Sequence, residues 1–210
     1  MKYNFIAIEG NIGAGKTTLA HLLAKKLNAR LILEEFAENP FLPKFYANPR
    51  QYAFPLELFF MAERFKQLND RLHNTDIFQN ITITDYLFAK CLLFARINLS
   101  DDEFKLYQKL FDILQQQILL PDIVIYLHSS ISNLQRNIKK RNREYEQKIA
   151  DEYLFSIQET YTNYIKQHNI KAIFIDCNKA DFLSNEQHLQ SVINALEKDF
   201  DYGQVYVSLP

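Results

Sequence analysis

Glycine is scarce in this 210-residue chain: there are four, and three of them, Gly10, Gly13 and Gly15, fall within six positions. Glycine tolerates positive φ and lets backbone approach another group closely. A chain this sparing of it has concentrated that freedom at one turn. The turn reads GNIGAGKT over residues 10–17 and matches G-x-x-x-x-G-K-[ST]. An apolar run over 3–9 precedes it and reads as a buried strand, while Leu19, Leu22, Leu23 and Leu27 follow at helical spacing. Strand, loop and helix are the context in which backbone N–H groups converge on phosphate oxygens at a helix N-terminus. Gly10, Asn11, Ile12, Gly13, Ala14, Gly15, Lys16, Thr17 and Thr18 are therefore candidate nucleotide-binding residues. Lys16 is expected to reach the β- and γ-phosphates of ATP, and the Thr17 hydroxyl to ligate Mg²⁺.

Further strands are expected at 30–33, 81–84, 122–128 and 171–176. Helices are expected at 16–27, 56–73, 88–119, 131–141, 151–168 and 185–198, with short kinked helices in the proline-rich stretch 36–55. This alternation predicts an α/β protein of the P-loop NTPase three-layer class: a five-stranded parallel sheet with helices on both faces and a short lid. One domain is expected over 1–200, its lid at about 137–150, with 201–210 as an unassigned C-terminal tail. Ligands of such sheets bind at the C-terminal ends of the strands.

Composition narrows the partners. Lys plus Arg total 24 against 25 Asp plus Glu, which gives no electrostatic case for nucleic acid or an anionic membrane. Two cysteines cannot make a disulfide framework, and no apolar run approaches the roughly 18 residues of a membrane helix, so a cytoplasmic setting is expected.

Residues 178–181 read NKAD, like the guanine-reading element of GTPases. The D-x-x-G that such switches also need is missing, because the only glycine after the loop, Gly203, is preceded three residues earlier by Phe200. A small-molecule kinase fits better. It needs a group that positions the acceptor hydroxyl and cations that follow the transferring phosphoryl. Glu34 and Glu35 end the second strand, and RNIKKRNR over 136–143 places five cations just before Glu144 and Glu146.

The order GNIGAGKT, then E-E-F-A-E-N-P, then F-Y-A-N-P, then R-N-R-E-Y-E-Q resembles the deoxynucleoside kinases, above all bacterial deoxyadenosine kinase-like members, from Phe5 to about Leu196. The resemblance implies transfer of the ATP γ-phosphoryl to the 5′-hydroxyl of a deoxynucleoside. It makes Glu34 the base for that hydroxyl, Tyr46 and Glu146 the holders of the sugar 3′-hydroxyl, and Arg141 and Arg143 the lid cations. Arg64 would line the acceptor site, Asp181 and Phe182 would lie where the donor base is held, and a homodimer is expected.

Five positions depart from the family pattern: Tyr86, Leu87, Asn137, Cys91 and Glu57. Asp85-Tyr86-Leu87 stands where the family has an acidic residue, arginine and serine, so Asp85 can still steer Mg²⁺ but one cation is missing. Asn137 stands for a lid arginine, with Arg136 adjacent, and Cys91 for an acceptor-pocket aspartate. Glu57 stands for the glutamine that reads the base. Ionised glutamate only accepts hydrogen bonds, which favours deoxyadenosine, leaves deoxyguanosine and deoxycytidine open and disfavours thymidine. Two alternatives remain at this level: a nucleoside monophosphate kinase of the thymidylate kinase type, and a non-catalytic nucleotide-binding regulator.

Overall fold

The structure, a computed structural model, describes residues 2–35, 39–72, 79–198 and 203–210. Six strands form one parallel sheet: β1 (Phe5–Gly10), β2 (Arg30–Ile32), β3 (Thr82–Thr84), β4 (Ile123–His128), β5 (Ala172–Asp176) and β6 (Gln204–Val207), in the order β2-β3-β1-β4-β5-β6. Five were expected. The sixth comes from the unassigned tail and pairs Ala172 with Gln204 through Ile175 with Val207 along β5. Its four residues at a sheet edge are half exposed, so it lacks the continuous apolar run that marks a strand buried on both faces.

The strand pleat sends alternate residues to opposite faces. Ile6, Ile8, Ile125, Leu127 and Ile173 pack under α1 (Lys16–Leu27), α6 (Ile131–Arg141) and α8 (Glu186–Glu197). Ala7, Val124, Tyr126 and Phe174 pack against α4 (Lys90–Asn98) and α7 (Asp151–Gln167). A third apolar cluster joins α3 (Pro49–Leu72) and α5 (Asp101–Gln115) to α4 through Met61, Tyr107 and Phe111. The short helix α2 (Leu42–Ala47) lies against α3.

Helix boundaries refine the expectations. The single stretch expected at 88–119 is two helices, because Ser100 and Glu103 form a reciprocal capping box that starts α5 afresh. α3 begins at Pro49 and runs through Pro55, so only one break separates the kinked helices expected at 36–55. The expected end of that helix at His73, and Phe36 to Glu38 of the acidic motif, lie outside the described residues. No helix among the described residues is long and apolar enough to cross a membrane.

Candidate active site

The loop joining β1 to α1 turns at Gly13, with φ of 81°. A Cβ there would stand 2.9 Å from the Leu134 carbonyl oxygen and 3.0 Å from Ile138 Cγ1, so α6 closes this position to any side chain. Asn137 Nδ2 donates to the Gly13 carbonyl oxygen at 2.9 Å, which ties α6 to the loop. Where an arginine was expected, this chain has a tether. Arg136 lines the cavity instead, its guanidinium donating to Asn133 Oδ1.

Lys16 Nζ donates to the carbonyl oxygens of Gly10 at 2.8 Å and Asn11 at 2.9 Å. Burial and then the charge of Lys90 pull its pKa down to about 8, against the opposing charges of Glu9, Glu34 and Asp85. Thr17 Oγ1 donates to Asp85 Oδ2 at 2.5 Å, and Asp85 Oδ1 accepts the Glu34 backbone N–H at 2.7 Å. Asp85, just past β3, thus joins the phosphate loop to the start of the acceptor wall. Behind it lies a residue the sequence reading passed over. Glu9 of β1 is fully buried, and it accepts the Leu87 N–H at 2.6 Å and the Tyr161 hydroxyl at 2.9 Å. Burial raises its pKa, with Lys90 and Lys16 opposing.

On the acceptor side Glu34 is gripped from two directions. Arg64 donates to Oε1 through Nε at 2.8 Å and through its terminal nitrogen at 2.5 Å, and Lys90 Nζ lies 2.5 Å from Oε2. Burial alone would raise the Glu34 pKa, but Lys90 and then Arg64 hold the carboxyl well below the usual carboxylate range. Cys91, the departure from an expected aspartate, accepts from the remaining Arg64 nitrogen at 3.2 Å. Tyr86, where the family arginine is missing, is buried and donates to Gln67 Oε1. Glu57 lies deeper, 1% exposed. Asn98 Nδ2 donates to its Oε1 at 2.7 Å, while Oε2 has no partner among the described residues. Burial pushes the Glu57 pKa up to about 7, against the Asn98 hydrogen bond and the Arg64 charge.

The segment after α6 folds over the opening. A 3₁₀ turn, Glu144–Glu146, brings Glu146 back between Arg141, which donates to Oε2, and Arg143, which donates to Oε1 at 3.3 Å. The Tyr145 ring stacks on Tyr46 with centroids 5.8 Å apart. Beyond β5, Asp181 Oδ1 accepts the N–H groups of Leu183 at 3.1 Å and Ser184 at 2.9 Å. Its own N–H donates to His188 Nδ1 at 3.0 Å. That leaves His188 Nε2 to carry the ring proton towards the Pro210 carbonyl oxygen, 3.0 Å away.

Most of these side chains face one cavity of about 1100 Å³, somewhat larger than the roughly 300–1,000 Å³ of a single small-molecule site. Ile12, Gly13, Ala14, Gly15, Lys16, Thr17, Thr18, Glu34, Tyr46, Glu57, Arg64, Asp85, Arg141, Arg143, Glu146, Asp181 and Phe182 all line it, and so do Lys90 and Asn98, which the sequence reading missed. Gly10 and Asn11 stand behind the wall. A Cβ on Gly10 would meet the Leu127 carbonyl oxygen at 2.7 Å, and Asn11 Nδ2 braces the loop on the Leu154 carbonyl at 2.7 Å.

The deoxynucleoside kinase family model matches residues 6–200. The chain belongs to the deoxynucleoside kinase family. It is an enzyme, a kinase acting on deoxynucleosides. Among its relatives, a deoxyguanosine kinase of Bacillus subtilis is 36% identical over 90% of this chain and 93% of that protein. A deoxyadenosine kinase of Dictyostelium discoideum is 33% identical over 89% of this chain and 77% of its own length. Among solved structures, a deoxyadenosine kinase from M. mycoides with bound dCTP superposes with a TM-score of 0.78 at 26% identity, covering 91% of this chain and 98% of that one. These matches set aside both the monophosphate kinase and the non-catalytic alternatives.

Proposed function

We propose that the kinase transfers the γ-phosphoryl of ATP to the 5′-hydroxyl of a deoxynucleoside, with deoxyadenosine as the preferred acceptor. The observation that carries this reading is the Glu34 carboxylate, fixed by Arg64 and Lys90 on the wall of the cavity that Lys16 and Thr17 also line. Residues 12–18 cradle the phosphates, and Lys16 follows the transferring group. Arg141 and Arg143 on the lid, 137–150, offset its charge. Glu34 orients the acceptor hydroxyl and receives its proton late, which suits a loose transfer in which positioning and electrostatics do most of the catalysis. Tyr46 stacks on Tyr145, next to Glu146 in the lid, and the two would hold the sugar 3′-hydroxyl. Asp181 and Phe182 would flank the donor base.

Thr17 and Asp85 suit Mg²⁺: both offer hard oxygens, 2.5 Å apart, and this ion keeps waters and phosphate oxygens as most of its ligands. When bound it would neutralise part of the triphosphate charge.

Glu57 is the base reader, and its burial changes the chemistry expected from sequence. A neutral carboxyl donates and accepts, as glutamine does. With Asn98 occupying Oε1, the proton belongs on Oε2, which can donate to adenine N1 while the carboxyl accepts from the 6-amino group. The ionised form instead accepts twice, matching N1–H and the 2-amino group of guanine. A pKa near 7 makes deoxyguanosine the second reading, and thymidine is disfavoured only by the ionised form. Assaying the four deoxynucleosides with ATP and with GTP, at about pH 6 and about pH 8 on either side of that titration, tests the assignment. A preference for adenine that weakens against guanine as pH rises is expected. No product from any deoxynucleoside would remove the reading.

Both cysteines are buried free thiols, which supports work in a reducing cytoplasm. Leu106, Leu110 and Ile113 form an exposed apolar stripe on α5, which supports a homodimer. Light scattering coupled to size exclusion tests it.

A further inference from the structure

Lys90 opens α4 with its side chain only 9% exposed, a burial that lysine seldom accepts unless paired. Its partner is Glu34 Oε2, while Arg64 holds Oε1. The two cations differ in kind. Arg64 is a planar fork with a third contact to Cys91, packed 4.6 Å over the Phe60 ring. Lys90 is a point charge on a flexible stem, with Phe94 beneath it at 5.6 Å. Both line the cavity, and the charge of Lys90 is felt at Lys16. A carboxylate with both oxygens in ion pairs is a poor proton acceptor. One oxygen must be released before a hydroxyl proton can settle on it, and Oε2 has the partner that can move.

We infer that Lys90 is an exchangeable counter-ion: it holds Glu34 Oε2 before transfer, then passes to an oxygen of the transferring phosphoryl and frees Oε2 for the acceptor hydroxyl. This rests on the proposed reaction. The step balances. The bond from the 5′-oxygen to the γ-phosphorus forms as the bond from that phosphorus to the β,γ-bridging oxygen breaks. The bridging oxygen leaves on ADP with the electron pair, and the hydroxyl proton goes to Oε2. Lys90 keeps its three protons and trades one anionic contact for another. Arg64 never leaves Oε1, so the carboxylate keeps its aim.

Charged and titratable groups surround the pair on every side: Glu57 and Arg64 on α3, Asp85 and Tyr86 after β3, Cys91 on α4, Lys16 on α1, Glu9 on β1 and Tyr161 on α7.

Lys90→Met should lower kcat about 100-fold, on the scale of a lost proton-transfer arrangement, with the KM for ATP within about threefold of wild type. The KM for the deoxynucleoside should also stay within about threefold, because Arg64 still aims the carboxylate. Lys90→Arg keeps the charge but clamps Oε2 with a fork, so its kcat should recover to no more than about a tenth of wild type. A Lys90→Met enzyme of near-normal kcat, or one slowed only through raised KM values, overturns the exchange. So does a fully active Lys90→Arg, and this variant decides alone if Lys90→Met does not fold. Absence of product from the wild type would remove the reaction itself, whereas an active wild type with any of these results removes only the exchange.

Discussion

The two halves of the cavity are built in opposite ways. The half proposed for the donor is one run of chain, residues 10–18, of which 12–18 line the cavity and whose shape is enforced from outside by Leu127, Leu134 and Ile138. The half proposed for the acceptor is assembled from Glu34 after β2, Glu57 and Arg64 on α3, Asp85 after β3, and Lys90 and Asn98 on α4. A contiguous loop ties binding to local backbone geometry and leaves little room for variation. A dispersed wall lets one side chain be exchanged while its neighbours stay, and every departure from the family pattern found in sequence lies outside the loop.

The contrast can be broken by substitution. Glu34→Gln keeps the shape of the acceptor wall and removes its charge. Turnover should fall by about 10²- to 10⁴-fold with ATP affinity unchanged, measured by steady-state kinetics beside nucleotide titration. Substantial remaining turnover would show that the acceptor wall only holds substrate. Gly13→Ala attacks the other half. Its Cβ meets a backbone oxygen at 2.9 Å with φ at 81°, so strain and displacement should cost about 1–3 kcal/mol. ATP binding should weaken about tenfold or more, alongside a lower melting temperature, while deoxynucleoside binding measured without ATP stays intact. Equal losses on both sides would mean that the halves are not separable.

The smaller effects concern Glu57. Glu57→Gln keeps one donor and one acceptor at every pH, so the ratio of deoxyadenosine to deoxyguanosine turnover should rise by about tenfold above neutrality, one bidentate contact to a base edge being worth about 1–3 kcal/mol of discrimination. It should also lose its pH dependence. A ratio identical to wild type would take Glu57 off the base. Stability gives the smallest signal and has a definite sign. The folded-state pKa of Glu57 is raised to about 7 from the ordinary 4.5. Its contribution is fully present below that ordinary value and is lost as pH rises through about 7. The glutamine variant should therefore unfold at higher temperature than wild type at about pH 8, by something on the order of 2 kcal/mol, and the difference should shrink towards about pH 5. Parallel melting curves across that range would show the carboxyl to be better solvated than its burial implies.

What the sequence disclosed follows the same division. The phosphate loop was legible because strand, turn and helix are consecutive and glycine has few uses. Glu34 and Asp85 were legible because strand ends mark the ligand edge of a parallel sheet. Lys90 and Asn98 were not, since both look like ordinary polar residues on a helix, and only packing against α3 turns them inward. A signal for Lys90 did exist: the missing arginine at Tyr86 left Glu34 short of a cation, and a lysine follows one helical turn later. The break before α5 was also written in Ser100 and Glu103, a capping pair inside an apolar pattern that reads as continuous helix. The strand β6 carried too few residues for its period to register, and its position depends on the open edge of β5.

The imidazole of His188 has a practical consequence. One ring bonds both the loop at Asp181 and the carbonyl of Pro210, so any affinity handle fused behind Pro210 would tug on the stretch of cavity wall at Asp181 and Phe182. Fusion partners and fluorophores belong ahead of Tyr3, where the strands begin and the catalytic edge is a full sheet-length away.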